Sequence, residues 1–173
     1  MSIQRLLLLL AVLSISFPLH AQHNNPSDTL LDHLAGEWLL TGSLAGGQVE
    51  HDISAGWVLG REYFQIKETS RERDPNGHPA YEAIVYITFN KGDDRYDCLW
   101  LDNTSNAGLS NGIIAHAGRE PGRLALVFKF NETFYFHTTF SYNPDEDSWS
   151  WLMRSEDGGK EEVFADAVMK RVQ

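Results

Sequence analysis

The chain has 173 residues, with 24 acidic against 14 basic side chains, a formal net charge of −10 and one cysteine. So acidic a surface repels nucleic acid and anionic lipid, which excludes both as main partners. With Cys98 as the only thiol no intrachain disulfide can form, so a small exported domain of this kind must rely on its core.

Residues 1–21 read as a secretory signal. Arg5 supplies a positive n-region, Leu6 to Leu19 an apolar h-region, and Leu19-His20-Ala21 a tolerable cleavage site. A membrane anchor is the competing reading, but the apolar run is short for a spanning helix and ends in Pro18 and His20. No cysteine directly follows the cut, which argues against a lipid anchor. The expected location is the periplasm or the cell exterior, with no membrane contact after cleavage. Residues 22–27 read as a polar, flexible leader and 28–173 as one domain. A chain of that size buries about 70% of its unfolded surface on folding.

Pro26-Ser27-Asp28 opens a short helix, capped by Ser27 or Asp28, with Leu30, Leu31 and Leu34 on one face. Gly36 then allows a close chain reversal, and Trp38 packs beneath the body of the domain. From Gly36 onward strand signals recur about every ten residues. Strands are predicted near 37–44, 49–58, 61–69, 81–90, 94–102, 108–116, 123–130, 133–142, 148–155 and 162–171. Turn formers separate them, among them Asp74-Pro75-Asn76-Gly77, Lys91-Gly92-Asp93, Asn143-Pro144-Asp145 and Asp157-Gly158-Gly159. Successive antiparallel strands need closure to hide their edges. The predicted fold is therefore all-β: an antiparallel up-and-down β-barrel of about ten strands, its N-terminal helix closing one end. A two-sheet sandwich is the alternative.

Alternation assigns the inward faces. Leu124, Leu126, Phe128 and Phe130 share one; Phe134, Phe136, Thr138 and Phe140 share the next. Trp149, Trp151 and Met153 form a third, and Val163, Ala165, Ala167 and Met169 a fourth that ends in Arg171. Trp38 lies on the inward parity of the first strand. Closure brings first and last strands together, so Arg171 is placed to stack on the Trp38 indole; the competing reading is a solvated end residue.

A short helix followed by Gly-x-Trp, with an arginine on the last strand, resembles the lipocalin and calycin superfamily. More closely, the chain resembles secreted bacterial lipocalin-like proteins of unknown function. Leu34-Ala35-Gly36-Glu37-Trp38, Gly56 to Tyr63 and Tyr96 to Asp102 carry the likeness. Trp100-x-Asp102 fits the Trp-x-Asp of that family, whereas Met169-Lys170-Arg171 lacks its aromatic–Arg ending. The resemblance implies a barrel and brings no activity or catalytic residue with it. A looser resemblance is to haem-binding ten-stranded barrels, in which a strand histidine holds iron. His137 falls on the outward parity for that role, so no cofactor is expected.

A barrel of this size has room for one small molecule, or is filled by its own side chains. The expected wall residues are Trp100, Phe128, Phe136, Trp149, Trp151 and Met153, with Asp102 near a rim. Asp102 either anchors a ligand hydroxyl or amine, or caps the turn Asn103-Thr104-Ser105. His51, His116 and His137 show no metal-ligand spacing, and the carboxylates of 143–147 lack the full calcium-loop pattern. Cys98 reads as a small core residue. No nucleophile elbow, phosphate loop or zinc signature occurs, so the catalytic residues stay unassigned. Three functions remain open: a binding barrel for a small, mostly apolar molecule; a barrel hydrolase or isomerase using Asp102 with a histidine; or a filled barrel that serves only as an interaction surface. Oligomeric state is not legible.

Overall fold

A computed structural model describes residues 29–104 and 113–172. The expected signal, the expected leader and the predicted helix cap at Ser27 or Asp28 lie outside these residues. A six-residue helix, α1 (Thr29–Leu34), precedes ten strands. They are β1 (Gly36–Leu44), β2 (Gly47–Val58), β3 (Tyr63–Ser70), β4 (Glu82–Asn90) and β5 (Arg95–Asp102), then β6 (Ile114–Gly118), β7 (Arg123–Lys129), β8 (Phe134–Asn143), β9 (Ser148–Asp157) and β10 (Lys160–Arg171). Each pairs antiparallel with its chain neighbour, and β10 returns to pair with β1. The result is a closed up-and-down barrel, and a sandwich is ruled out. Every one of these strands thus has a ladder partner on both sides, which removes exposed sheet edges.

The predicted strands differ from the observed ones where local backbone intervenes. β3 starts at Tyr63 instead of 61, because Leu59–Arg61 forms a 3-10 turn with φ of 49°, 69° and 69° at its three residues. Such values take the chain out of the extended region. β6 begins at Ile114 and runs to Gly118; part of the strand expected from 108 lies outside the described residues. β9 and β10 run two residues further toward each other, because Gly158-Gly159 alone makes the turn between them.

One expected inward residue faces out. Val163 is 63% exposed, and the β9–β10 register shifts between Val163 and Ala165. A bulge adds a residue to one strand and so breaks alternation there. Phe164 turns toward the interior in its place. Ala165, Ala167 and Met169 stay buried as alternation requires.

The two ends of the barrel differ. At the end where β1 begins, α1 lays Leu30, Leu31 and Leu34 over Trp38, Leu40, Ile53 and Phe64, all buried. A helix of one and a half turns has no stability of its own. Tertiary hydrogen bonds hold it: Trp38 Nε1–H donates to Leu34 O at 2.8 Å, and Trp57 Nε1–H and Arg61 Nη2–H both donate to Asp32 Oδ1 at 2.6 Å. Arg171 reaches the same end, donating to the carbonyls of Ala35 (3.0 Å) and His33 (3.3 Å). This end is a packed floor. The opposite end, marked by Leu44 at the close of β1, is where the interior opens.

Candidate binding site

The mouth half of the barrel holds a cavity of about 430 Å³. Its wall is mostly apolar and aromatic, drawn from β5, β7, β8, β9 and the bulge in β10. Trp100, Phe128, Phe136, Trp151, Met153 and Asp102 all line it. Trp149 does not. It lies fully buried in the floor, against the Tyr142 ring at 5.0 Å. Alternation gives the face of a side chain but not its height along the barrel axis, and Trp149 sits one step too near the floor.

The aromatic wall is interlocked. Trp100 meets Phe128 edge-to-face at 6.1 Å and Trp151 at 5.7 Å, and Trp151 stacks on Phe140 at 4.9 Å. These are favourable ring geometries, and they fix the indoles in place. Trp100 Nε1–H donates to Tyr81 Oη at 3.2 Å.

Polar groups enter the cavity on the β3 side. Glu68 and Tyr81 both line it. Behind them, His51 Nδ1 and Glu68 Oε1 share a 2.5 Å hydrogen bond, with both side chains buried. The His51 ring stacks on Tyr81 at 5.7 Å. Burial pushes the Glu68 carboxyl above its ordinary value; the His51 hydrogen bond opposes this and nearby Asp102 adds to it. Burial likewise raises the Tyr81 phenol. Register explains the link to Asp102. Glu68 pairs with Ala83 and Ala83 with Asp102, so two carboxyls flank one small residue across three adjacent strands.

Sequence reasoning reads His51 as an ordinary strand residue and does not single out Glu68 or Tyr81. A signal exists for two of them. His51 alternates with Val49 and Ile53, and Glu68 with Phe64, Ile66 and Ser70. A titratable residue on an otherwise inward parity marks a buried polar group that needs a partner.

Asp102 accepts from Thr104 N–H at 2.9 Å and Thr104 Oγ1–H at 2.7 Å, so its carboxylate caps the turn after β5 while facing the cavity rim. The other two candidate histidines face outward. His116 Nδ1 lies 2.7 Å from Asp97, and His137 Nε2 lies 3.0 Å from Glu156. Among the described residues no three His, Cys, Asp or Glu side chains are grouped to hold a metal ion. No described helix is long and apolar enough to cross a membrane. Cys98 is buried beside the core, and burial pushes its thiol up to about 12.

No known protein family matches the chain, and no curated protein matches it. A solved structure does. The crystal structure of Rv2717c from M. tuberculosis is similar with a TM-score of 0.59, at 11% sequence identity, covering 86% of this chain and 98% of that one. Likeness at that identity concerns the path of the backbone and shows the barrel fold alone.

Proposed function

We propose that the protein is a lipocalin-like binding barrel whose mouth-side cavity takes one small, mostly apolar molecule. The observation that carries this reading is the cavity itself: about 430 Å³, walled by interlocked aromatic rings and entered by a few buried polar groups. Small-molecule sites share that size and that division of labour between apolar wall and sparse polar contacts. A ligand burying about 300 Å² of apolar surface gains roughly 7–8 kcal/mol before the cost of ordering is subtracted. That is at best micromolar binding, so the polar groups set affinity and selectivity.

The N-terminal sequence supports a periplasmic or secreted location, and the acidic surface disfavours nucleic acid and anionic membranes as partners. Catalysis by Asp102 with a histidine finds less support. Asp102 is engaged by Thr104, His116 and His137 face outward, and His51 lies behind Glu68 and Tyr81.

Native mass spectrometry of the purified chain tests the reading. The expected result is a co-purified molecule of low mass in 1:1 stoichiometry, lost in Met153→Trp, which fills the cavity. A uniformly ligand-free protein that also fails to take up added hydrophobic probes overturns it. N-terminal sequencing of the exported protein tests location; a mature chain beginning at Gln22 is expected, and one retaining Met1 contradicts export with cleavage.

A further inference from the structure

The charged groups that line the cavity are of one sign. Glu68 and Asp102 face it, and among the described residues no Lys, Arg or His lines it. Residues 105–112, which join Thr104 to Ile113 of its wall, contain no basic residue either. Register sets the two carboxyls on either side of Ala83, two strand spacings or about 10 Å apart at the backbone. They interact: the charge on Asp102 adds to burial in raising the Glu68 carboxyl. Two carboxyls in an apolar wall ionise together only at a cost that a cation removes.

Both have capacity left. His51 holds Glu68 Oε1, and Oε2 has no hydrogen-bond partner among the described residues. Glu68 is 2% exposed and lies on the inward parity of β3. Thr138 Oγ1 and the indole nitrogens of Trp149 and Trp151 are also unpartnered, but those atoms are sealed from solvent and locate no ligand. Glu68 Oε2 is not sealed, and its side chain lines the cavity. Asp102 is the more reachable of the two carboxyls, half-buried at the rim. The bonds it accepts from Thr104 both fall on Oδ1, and a carboxylate has about four lone-pair sites. Trp100, two residues earlier on the same face of β5, sets an indole beside it. The Trp100 N–H is spent on Tyr81, so what Trp100 offers a ligand is ring surface. Ring surface next to a carboxylate suits an ammonium group, which the ring attracts and the carboxylate neutralises.

We propose, resting on the binding role above, that the ligand is an apolar molecule ending in one protonated amine, which Asp102 receives at the rim beside Trp100, with Glu68 as the deeper counter-charge. An alcohol of the same shape forgoes the charge pairing, and a carboxylic acid brings like charge into a low-dielectric site. The cavity thus rejects fatty-acid-like anions by repulsion and not by size. The titratable groups facing Glu68 are His51 on β2, Tyr81 ahead of β4 and Asp102 on β5. A bound cation favours the ionised carboxyl, so amine uptake drives off part of a proton.

Three probes of similar shape decide this by isothermal titration of the full chain: 4-phenylbutylamine, 4-phenylbutan-1-ol and 4-phenylbutanoate. The amine is expected to bind about tenfold more tightly than the alcohol, and the acid more weakly than either. Repeating the amine titration in buffers of different ionisation heat should reveal proton release, absent with the alcohol. Asp102→Asn keeps an acceptor for Thr104 and should bring the amine and alcohol affinities within about threefold of each other. If that variant fails to fold, the ranking and the proton release in the native protein decide. An alcohol bound as tightly as the amine, an acid that binds best, or an amine preference that survives Asp102→Asn overturns the amine assignment and leaves a binding barrel standing. Amine binding without proton release overturns the part given to Glu68. Failure of all three probes to bind overturns the amine assignment and the binding role with it.

Discussion

Arg171 and Trp38 face each other across the β1–β10 seam, directly paired in register, with the guanidinium carbon 4.1 Å from the centre of the indole ring. The same guanidinium donates to the Ala35 and His33 carbonyls at the end of α1, and its Nε–H donates to Asp147 at 2.6 Å. One side chain thereby joins the first strand, the last strand and the helix. The Asp147 ion pair is largely solvated and contributes little; the stacking and the carbonyl contacts carry the effect. Arg171→Ala should cost about 1–2 kcal/mol, or about 3–6 °C in melting temperature, and shift tryptophan emission. Arg171→Lys should recover less than half, because an ammonium lacks the planar fork. An unchanged melting temperature in Arg171→Ala would show that the floor is held by other contacts.

The seam is also tight at Gly42. A Cβ there would clash with the Asp166 carbonyl oxygen and lie 2.5 Å from Ala167 Cα, both backbone atoms of β10. Neither can yield without opening the ladder that closes the barrel. Gly42→Ala should destabilise by about 3 kcal/mol or more, read by chemical denaturation. Gly56, where nothing lies within 4 Å of an added Cβ, serves as the control: Gly56→Ala should be tolerated.

What alternation encodes sets how much of the fold and site is legible in the sequence. It reports which way a side chain points, so Leu124, Leu126, Trp151 and Ala167 can be placed inside from sequence, and ten strands in succession imply closure. It does not report height along the barrel, so Trp149 and Trp151 look equivalent though one packs the floor and the other lines the cavity. It fails at a bulge, which is why it places Val163 inside and misses Phe164. It is silent on partners on other strands. His51 and Glu68 are 17 residues apart and become a pair only through the β2–β3 register.

Cys98 gives a check on the core. It is buried, and burial pushes its thiol up to about 12, so the thiolate that reacts with disulfide reagents is scarce at neutral pH. Native protein should react with an aromatic disulfide reagent orders of magnitude more slowly than the unfolded chain, which should titrate at one thiol per molecule. Rapid labelling under native conditions would mean that β5 opens far more readily than a closed barrel permits.

Glu68 makes stability depend on pH in a defined direction. Burial raises its carboxyl above the unfolded value, so the fold favours the protonated form. A folded pKa above the unfolded one means that the native state binds more protons between the two. Its contribution is therefore fully present below the ordinary glutamate value and is lost as pH rises through the higher folded value. Neighbouring groups share the site: His51 holds Oε1, while Tyr81 and Asp102 face the same space. Carboxylates held low by arginines, such as Asp147 beside Arg171, act in the opposite sense and are lost only at more acid pH. The difference in melting temperature between native protein and Glu68→Gln isolates Glu68 from these. Measured from pH 4 upward, the native protein should lose ground steadily to Glu68→Gln, because the amide keeps a hydrogen bond to His51 without ever ionising. A difference that stays flat across this range would mean that Glu68 ionises at its ordinary value, with His51 compensating fully for burial.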